Sequence, residues 1–140
     1  MNSKDSVWNI PNLSKLVDLH NQARASNSWM RKIDPLQMDN ILMKYAQDWA
    51  EHMAKISRLK HSDMKDIMGL GFSFVSENIA YGQKTEDSVM TTWLNSPGHR
   101  RNILSTSIDR IGCGFYYNHK DIIYWCCLLY TSPSPRDRVQ

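Results

Sequence analysis

Leu42, Tyr45, Ala46, Trp49, Ala50 and Met53 recur at three- and four-residue intervals, which puts them on one stripe of a helix. The spacing predicts an amphipathic helix over about 39–57, with Asp39 as cap and Lys44, Asp48, Glu51 and Lys55 on its solvated face. Leu13, Leu16, Val17, His20 and Ala23 predict another over about 13–26, between Asn12 as cap and Asn27 as stop. Asp34-Pro35 falls in the connector, where proline pushes the preceding residue out of helical geometry. From Lys60 to Phe74 the periodicity breaks, and Gly69 and Gly71 supply turns, so His61 lies in or beside a loop packed by Met64, Ile67 and Phe72. The run from Phe74 to Tyr81 is short and mixed. Thr85 caps a predicted helix over about 86–94, and Ser96-Pro97 reads as cap and first residue of a short helix to about Leu104, with His99 in its first turn. Ile111–Tyr117 and Ile122–Trp125 are β-rich runs joined by Asn118 to Asp121, the pattern of a hairpin with a longer loop. Helices followed by a hairpin define an α+β chain.

With 140 residues, one domain is expected. Lysine and arginine exceed aspartate and glutamate by 17 to 14, scattered along the sequence, so charge alone implies neither nucleic acid nor an anionic membrane as partner. No apolar run reaches the roughly 20 residues of a membrane span, and Met1 to Pro11 lack the apolar stretch of a secretory signal. The C-terminus stands apart. Cys127 to Asp137, CLLYTSPSPRD, continues no pattern before it and resembles the translation of a transposase-based sequencing adapter. The expected organisation is therefore an N-terminal segment over 1–12, a domain over 13–125 whose last strand is truncated, and a non-native or disordered tail over 126–140. Cys113 is then the one native cysteine, which leaves no disulfide framework and fits a cytosolic or a bacterial-type exported protein.

HNQAR at 20–24, LKH at 59–61, SENIAYG at 76–82, WLNSPGHRRNIL at 93–104 and IGCGFYY at 111–117 occur in an order that resembles the CAP superfamily. That group comprises cysteine-rich secretory proteins, venom antigens and plant pathogenesis-related proteins, and the SPGHR-x-NIL form resembles its bacterial-type branch. The resemblance implies an α-β-α sandwich, a small antiparallel sheet between helical layers, in an extracellular or cell-envelope protein. It also implies a cleft holding His61, Glu77 and His99. A second glutamate, usual in animal members, has Ser96 in its place, which helix capping explains by itself.

Residues 61, 77 and 99 lie too far apart for a local metal motif, so the resemblance alone groups them. Two imidazoles and a carboxylate suit Zn²⁺ or a similar divalent ion with solvent in the open position. Alternatively, Glu77 accepts a hydrogen bond from one imidazole and fixes its tautomer. His99, near a helix start and beside Arg100 and Arg101, is expected to favour the neutral form. His20, His52 and His119 are read as structural, His20 donating to a backbone carbonyl. Asn78, Arg100 and Asn102 are read as ties to neighbouring backbone, and Arg24 as pairing with the C-terminal carbonyls of its own helix or with a nearby carboxylate.

The leading functional reading is a monomeric, non-enzymatic binding module for a small-molecule, lipid or protein ligand. A metal-dependent hydrolase with Glu77 as base and a lipid or sterol carrier are the alternatives. No G-x-S-x-G turn supports a serine route through Ser62, Ser76 or Ser96, and Cys113 reads as a small core residue.

Overall fold

The computed structural model describes residues 10–132. In chain order the elements are α1 (Leu13–Ser26), β1 (Gln37–Met38), α2 (Asn40–Ile56), α3 (Lys65–Met68), β2 (Val75–Tyr81), α4 (Glu86–Leu94), α5 (Pro97–Ile103), β3 (Arg110–Tyr117) and β4 (Ile123–Tyr130). Three of the helix starts are chemically marked as expected. Asn12 accepts from Lys15 N–H, Asp39 from the Ile41 and Leu42 N–H groups, and Thr85 from Ser88 N–H. Each cap satisfies donors that the first helical turn leaves unpaired.

The four strands run β1-β3-β4-β2, with β1 parallel to β3 and the other pairs antiparallel. Alternate residues of β4 feed two cores. Ile123, Trp125, Cys127 and Leu129 pack with Leu16, Val17, Val89, Trp93 and Ile103 from α1, α4 and α5. Tyr124, Cys126, Leu128 and Tyr130 pack with Leu42, Ala46, Ala50 and Met53 of α2. Helices thus cover both faces, the α-β-α sandwich that the motif order implied.

Two segments differ from expectation. Phe74 to Tyr81, which lacked a clear pattern, contributes the edge strand β2, because its polar residues Ser76, Glu77 and Asn78 are buried rather than solvated. The larger difference is at the C-terminus, where the strand expected to stop near Trp125 continues to Tyr130 with all eight residues buried. Cys126 to Tyr130, expected outside the domain, pair with β2 and β3 at once. A strand covered on both faces reads as an unbroken apolar run, so CCLLY shows no alternation. Ser132 then bonds both oxygens of Asp109, and the remaining tail residues, 133–140, lie outside the described residues, as do residues 1–9 of the N-terminal segment.

The two sheet edges are treated differently. The hydrogen bond from Asn118 N–H to Ile122 O sets the β3–β4 phase, so Ile111, Cys113 and Phe115 turn their main chain away from β4. That edge is closed by β1, by Asp39 N–H on Ile111 O, by Met43 Sδ on Cys113 N–H, and by the Gln47 amide, which donates to Phe115 O at 2.6 Å and accepts from Phe115 N–H at 3.1 Å. Gln47 thereby replaces a missing strand. The opposite edge, β2, has no neighbouring strand, and the candidate site sits there.

His20 shows how the core treats a buried base. It is fully buried against Trp93, with ring centroids 6.0 Å apart, and its Nδ1–H donates to Leu16 O at 2.8 Å, the structural role expected of it. Burial above all, with Arg24 adding, lowers its pKa to about 4, against the backbone bond to Leu16. The native state therefore resists a proton that the unfolded chain takes up near 6.5, so stability is intact above that pH and falls as pH drops from 6.5 to 4. The full loss is about 3 kcal/mol. Urea unfolding at about pH 7 and 4.5 should show the wild type losing roughly 2 kcal/mol more than His20→Phe over that interval; equal losses would place the acid sensitivity elsewhere.

Candidate functional site at the open edge of the sheet

The site is built across β2. Gly82 N–H on Ile123 O and Thr131 N–H on Phe74 O fix the ladder phase, so Val75, Glu77 and Ile79 direct their main chain outward from the sheet. Trp93 Nε1 donates to the outward Ile79 carbonyl at 3.1 Å, which closes that end of the edge with α4. On the α2 side, Ser57 takes a left-handed conformation (φ 51°) to end the helix, and Trp49 Nε1 holds Lys60 O at 2.8 Å. These contacts deliver His61 to the edge. On the other side, Asn78 Nδ2 donates to His99 O at 3.2 Å and Asn78 Oδ1 accepts from Asn102 Nδ2 at 2.9 Å, clamping α5 to the strand. Adjacent strand residues point to opposite faces. Glu77 therefore serves His61 while Asn78 serves His99.

Glu77 is the most engaged polar group of the site, its side chain 1% exposed. Oε1 accepts from His61 Nδ1 at 2.8 Å and Ser62 N–H at 2.9 Å. Oε2 accepts from Ser62 Oγ at 2.5 Å, with the Cys126 thiol at 3.8 Å. A carboxylate facing Nδ1 selects the Nδ1–H tautomer, which leaves Nε2 of His61, on a side chain 62% exposed, as the free lone pair. Burial followed by Glu77 raises the Cys126 thiol and the Tyr130 phenol well above their ordinary pKa values, so both stay neutral beside the carboxylate.

His99 is half-buried, and its Nδ1 is buried without a hydrogen-bond partner. Its pKa is lowered, first by burial and then by the charge His61 would carry. Neutral imidazole was expected from the helix start and the neighbouring arginines; the direction agrees, but the causes are desolvation and the second histidine. Arg100 instead donates to Asn27 Oδ1 at 3.0 Å, and Ser96, although it occupies the cap position of α5, makes no capping bond with its side chain. Capping therefore does not account for Ser96.

His61, Glu77 and His99 are thus gathered at one edge, but not as three converging ligands. Among the described residues, no three of His, Cys, Asp and Glu are arranged to hold a metal ion. His52 is exposed on α2 and His119 is exposed in the hairpin loop. Ser62, weighed in the sequence only as a nucleophile, is instead a double donor to Glu77; its position directly after His61 was the available signal.

A two-faced helical sandwich with an open sheet edge, flanked by His61 and His99 with Glu77 buried between its layers, defines a small α-β-α domain. The chain belongs to the cysteine-rich secretory protein family, CAP, whose model matches residues 17–129. Its relatives include the uncharacterized protein YkwD of Bacillus subtilis, 35% identical over 109 residues, 72% of this chain and 41% of that one. The chain thus spans less than half of that relative. Among solved structures, an outer surface protein of Borrelia burgdorferi superposes with a TM-score of 0.76 at 22% identity, covering 85% of this chain and 91% of that one. NaASP2, described with Zn²⁺, superposes at 0.67 and 15% identity, covering 89% and 87%. At these identities the structures share the fold.

Proposed function

We propose that this domain is an extracellular-type CAP binding module whose cleft holds a divalent ion such as Zn²⁺ between His61 and His99, with Glu77 as orienter rather than ligand. The observation that carries this reading is the division of labour in the cleft. Glu77 is spent on His61 Nδ1 and Ser62, leaving His61 Nε2 free, while His99, held at lowered pKa, has a ring nitrogen without a partner. The donor set fits a borderline ion that accepts neutral imidazoles and completes its shell with solvent or a ligand. When bound, the metal would act as a Lewis acid toward that ligand. This chain's own residues hold His61 in one tautomer and clamp His99 through Asn78. The Zn²⁺ of NaASP2 and the surface placement in the name of the Borrelia burgdorferi protein belong to those proteins and lend support by likeness of fold.

The hydrolase alternative asks Glu77 to act as a base. With both oxygens already accepting from protein donors, it is poorly placed to take a proton from water. Lipid or sterol carriage would use the hollow of 420 Å³ beside α2, whose lining of Asn40, Ile41, Lys44, Tyr45 and Asp48 includes none of His61, Glu77 and His99.

Calorimetric titration with ZnCl2 tests the proposal. Imidazole binds metal only when neutral, so affinity should rise at least about tenfold from about pH 5.5 to 7.5. His61→Ala and His99→Ala should each abolish binding, while Glu77→Gln should weaken it by roughly 10- to 100-fold without abolishing it. Loss of all binding in Glu77→Gln, with the fold retained, would make the glutamate a direct ligand. Unchanged binding in either histidine variant would remove the metal from this cleft.

A further inference from the structure

The loop that follows α1 closes on its own base. Ser28 Oγ donates to Arg24 O at 2.9 Å and accepts from Ile33 N–H at 3.1 Å, while Arg24 Nε donates to Asp34 O at 2.7 Å. Between these fixed points stand Trp29, Met30, Arg31 and Lys32, all four exposed. Trp29 is 80% and Met30 78% exposed, more than any other large hydrophobic residue among those described. The basic residues are scattered in sequence, but Arg31 and Lys32 are consecutive here, and Arg100 donates to Asn27 Oδ1 at the root of the loop. Asp34 is the acidic neighbour, 3.6 Å from Lys32 Nζ, with both side chains largely in water.

Single exposed apolar residues are ordinary on a protein surface. An exposed tryptophan and methionine in succession in a pinned loop, followed directly by two cations, are a different case. Nothing in the packing or in the His61–His99 cleft uses them. Four residues offer far less than the ~800 Å² per partner of a stable protein interface. A lipid interface needs no shape match, takes up tryptophan at headgroup level, and draws Lys and Arg through its anionic surface potential.

We propose that the Trp29–Lys32 tip docks the domain on an anionic lipid surface, Trp29 and Met30 entering the headgroup region and Arg31 and Lys32 facing the lipid phosphates. The fixed base of the loop means that docking requires no refolding of the tip.

Sedimentation of the full chain with vesicles tests this. Vesicles of phosphatidylglycerol and phosphatidylcholine in equal parts should bind at least about tenfold more strongly than phosphatidylcholine alone. The double variant Trp29→Ser/Met30→Ser should lose at least about tenfold in that binding. Arg31→Glu/Lys32→Glu should lose the preference for the anionic lipid. Both pairs are exposed, so the thermal midpoint and zinc titration should stay as in the wild type, which separates this proposal from that for the cleft. A wild type that ignores both vesicles, or a serine variant that binds them equally well, overturns the proposal. So does a concentration-dependent dimer that the serine variant abolishes without any effect on lipid binding, since that would assign the tip to a second copy.

Discussion

Alanine at Gly112 or Gly114 is expected to cost at least about 3 kcal/mol, and the double substitution to leave no folded protein. Both glycines lie on the face of β3 that meets α2. A Cβ on Gly112 would stand 2.2 Å from the Leu42 carbonyl carbon and 2.4 Å from its Cβ. A Cβ on Gly114 would stand 2.4 Å from Gln47 Cα and 2.5 Å from its N. These neighbours are chiefly helix backbone and cannot swing aside, so α2 would have to lift off the sheet. That movement would pull the Gln47 amide off Phe115 and expose the β3 edge it closes. Glycine in a strand carries an entropic cost of about 0.5–1 kcal/mol relative to alanine, so relief of that cost opposes the clash but is smaller. Gly98 supplies the control. A Cβ there meets nothing within 4 Å, and alanine in α5 should be neutral or gain up to about 1 kcal/mol. Urea unfolding of the three variants should give opposite signs for the same added methyl group; comparable stability for Gly114→Ala and Gly98→Ala would mean that α2 does not rest on the β3 backbone.

The same contact explains what the sequence disclosed and what it withheld. The stripe on α2 and its Asp39 cap are periodic and local, and the observed helix, Asn40–Ile56, lies within a residue of the expected span at each end. Ala46 on that stripe fits close approach to glycine, but only the register of α2 over β3 shows that Gly114 is the glycine it meets. The second half of β4, beyond Trp125, escaped the sequence for the opposite reason. As an inner strand covered on both faces it has no solvent face, so its apolar run carried no alternation, and CCLLY looked unrelated to the chain before it.

At the cleft, motif order brought His61, Glu77 and His99 together, and the structure agrees that they share one edge. Their roles were not legible. Whether Glu77 faces a metal or an imidazole depends on Ser62 and Cys126, the second of which arrives from a strand 49 residues away. Asn78 could be read as a tie, yet its partner, the His99 carbonyl, follows from alternation along β2 combined with the docking of α5. Period-2 geometry thus assigns neighbouring residues to opposite faces of one sheet edge, a consequence visible only once β2 is known to be an edge.

Arg24→Met is expected to be among the most damaging single changes outside the glycine pair, at about 4 kcal/mol, or a melting point roughly 15 °C lower. Arg24 is 1% exposed, and its guanidinium donates to four carbonyls: Asp34 at 2.7 Å, Ile103 and Ser105 at 2.8 Å, and Ile108 at 3.4 Å. Pairing with the C-terminal carbonyls of its own helix or with a nearby carboxylate was expected of it, but three of its four bonds reach the end of α5 and the turn into β3, 79 to 84 residues away. Methionine fills similar volume and leaves those carbonyls unpaired, each at about 1–3 kcal/mol where water cannot replace the donor. Lysine keeps the charge but not the planar fork, so Arg24→Lys should still lose at least about 2 kcal/mol. Because Ile103 closes the helix that carries His99, the loss should reach the cleft as well. Zinc affinity in Arg24→Lys should fall while His61 keeps its bond to Glu77, and an NMR titration of the two imidazoles should show His99 alone displaced. Full stability in Arg24→Lys would mean that a point charge suffices there, and that the fork geometry contributes nothing to holding α5 against the sheet.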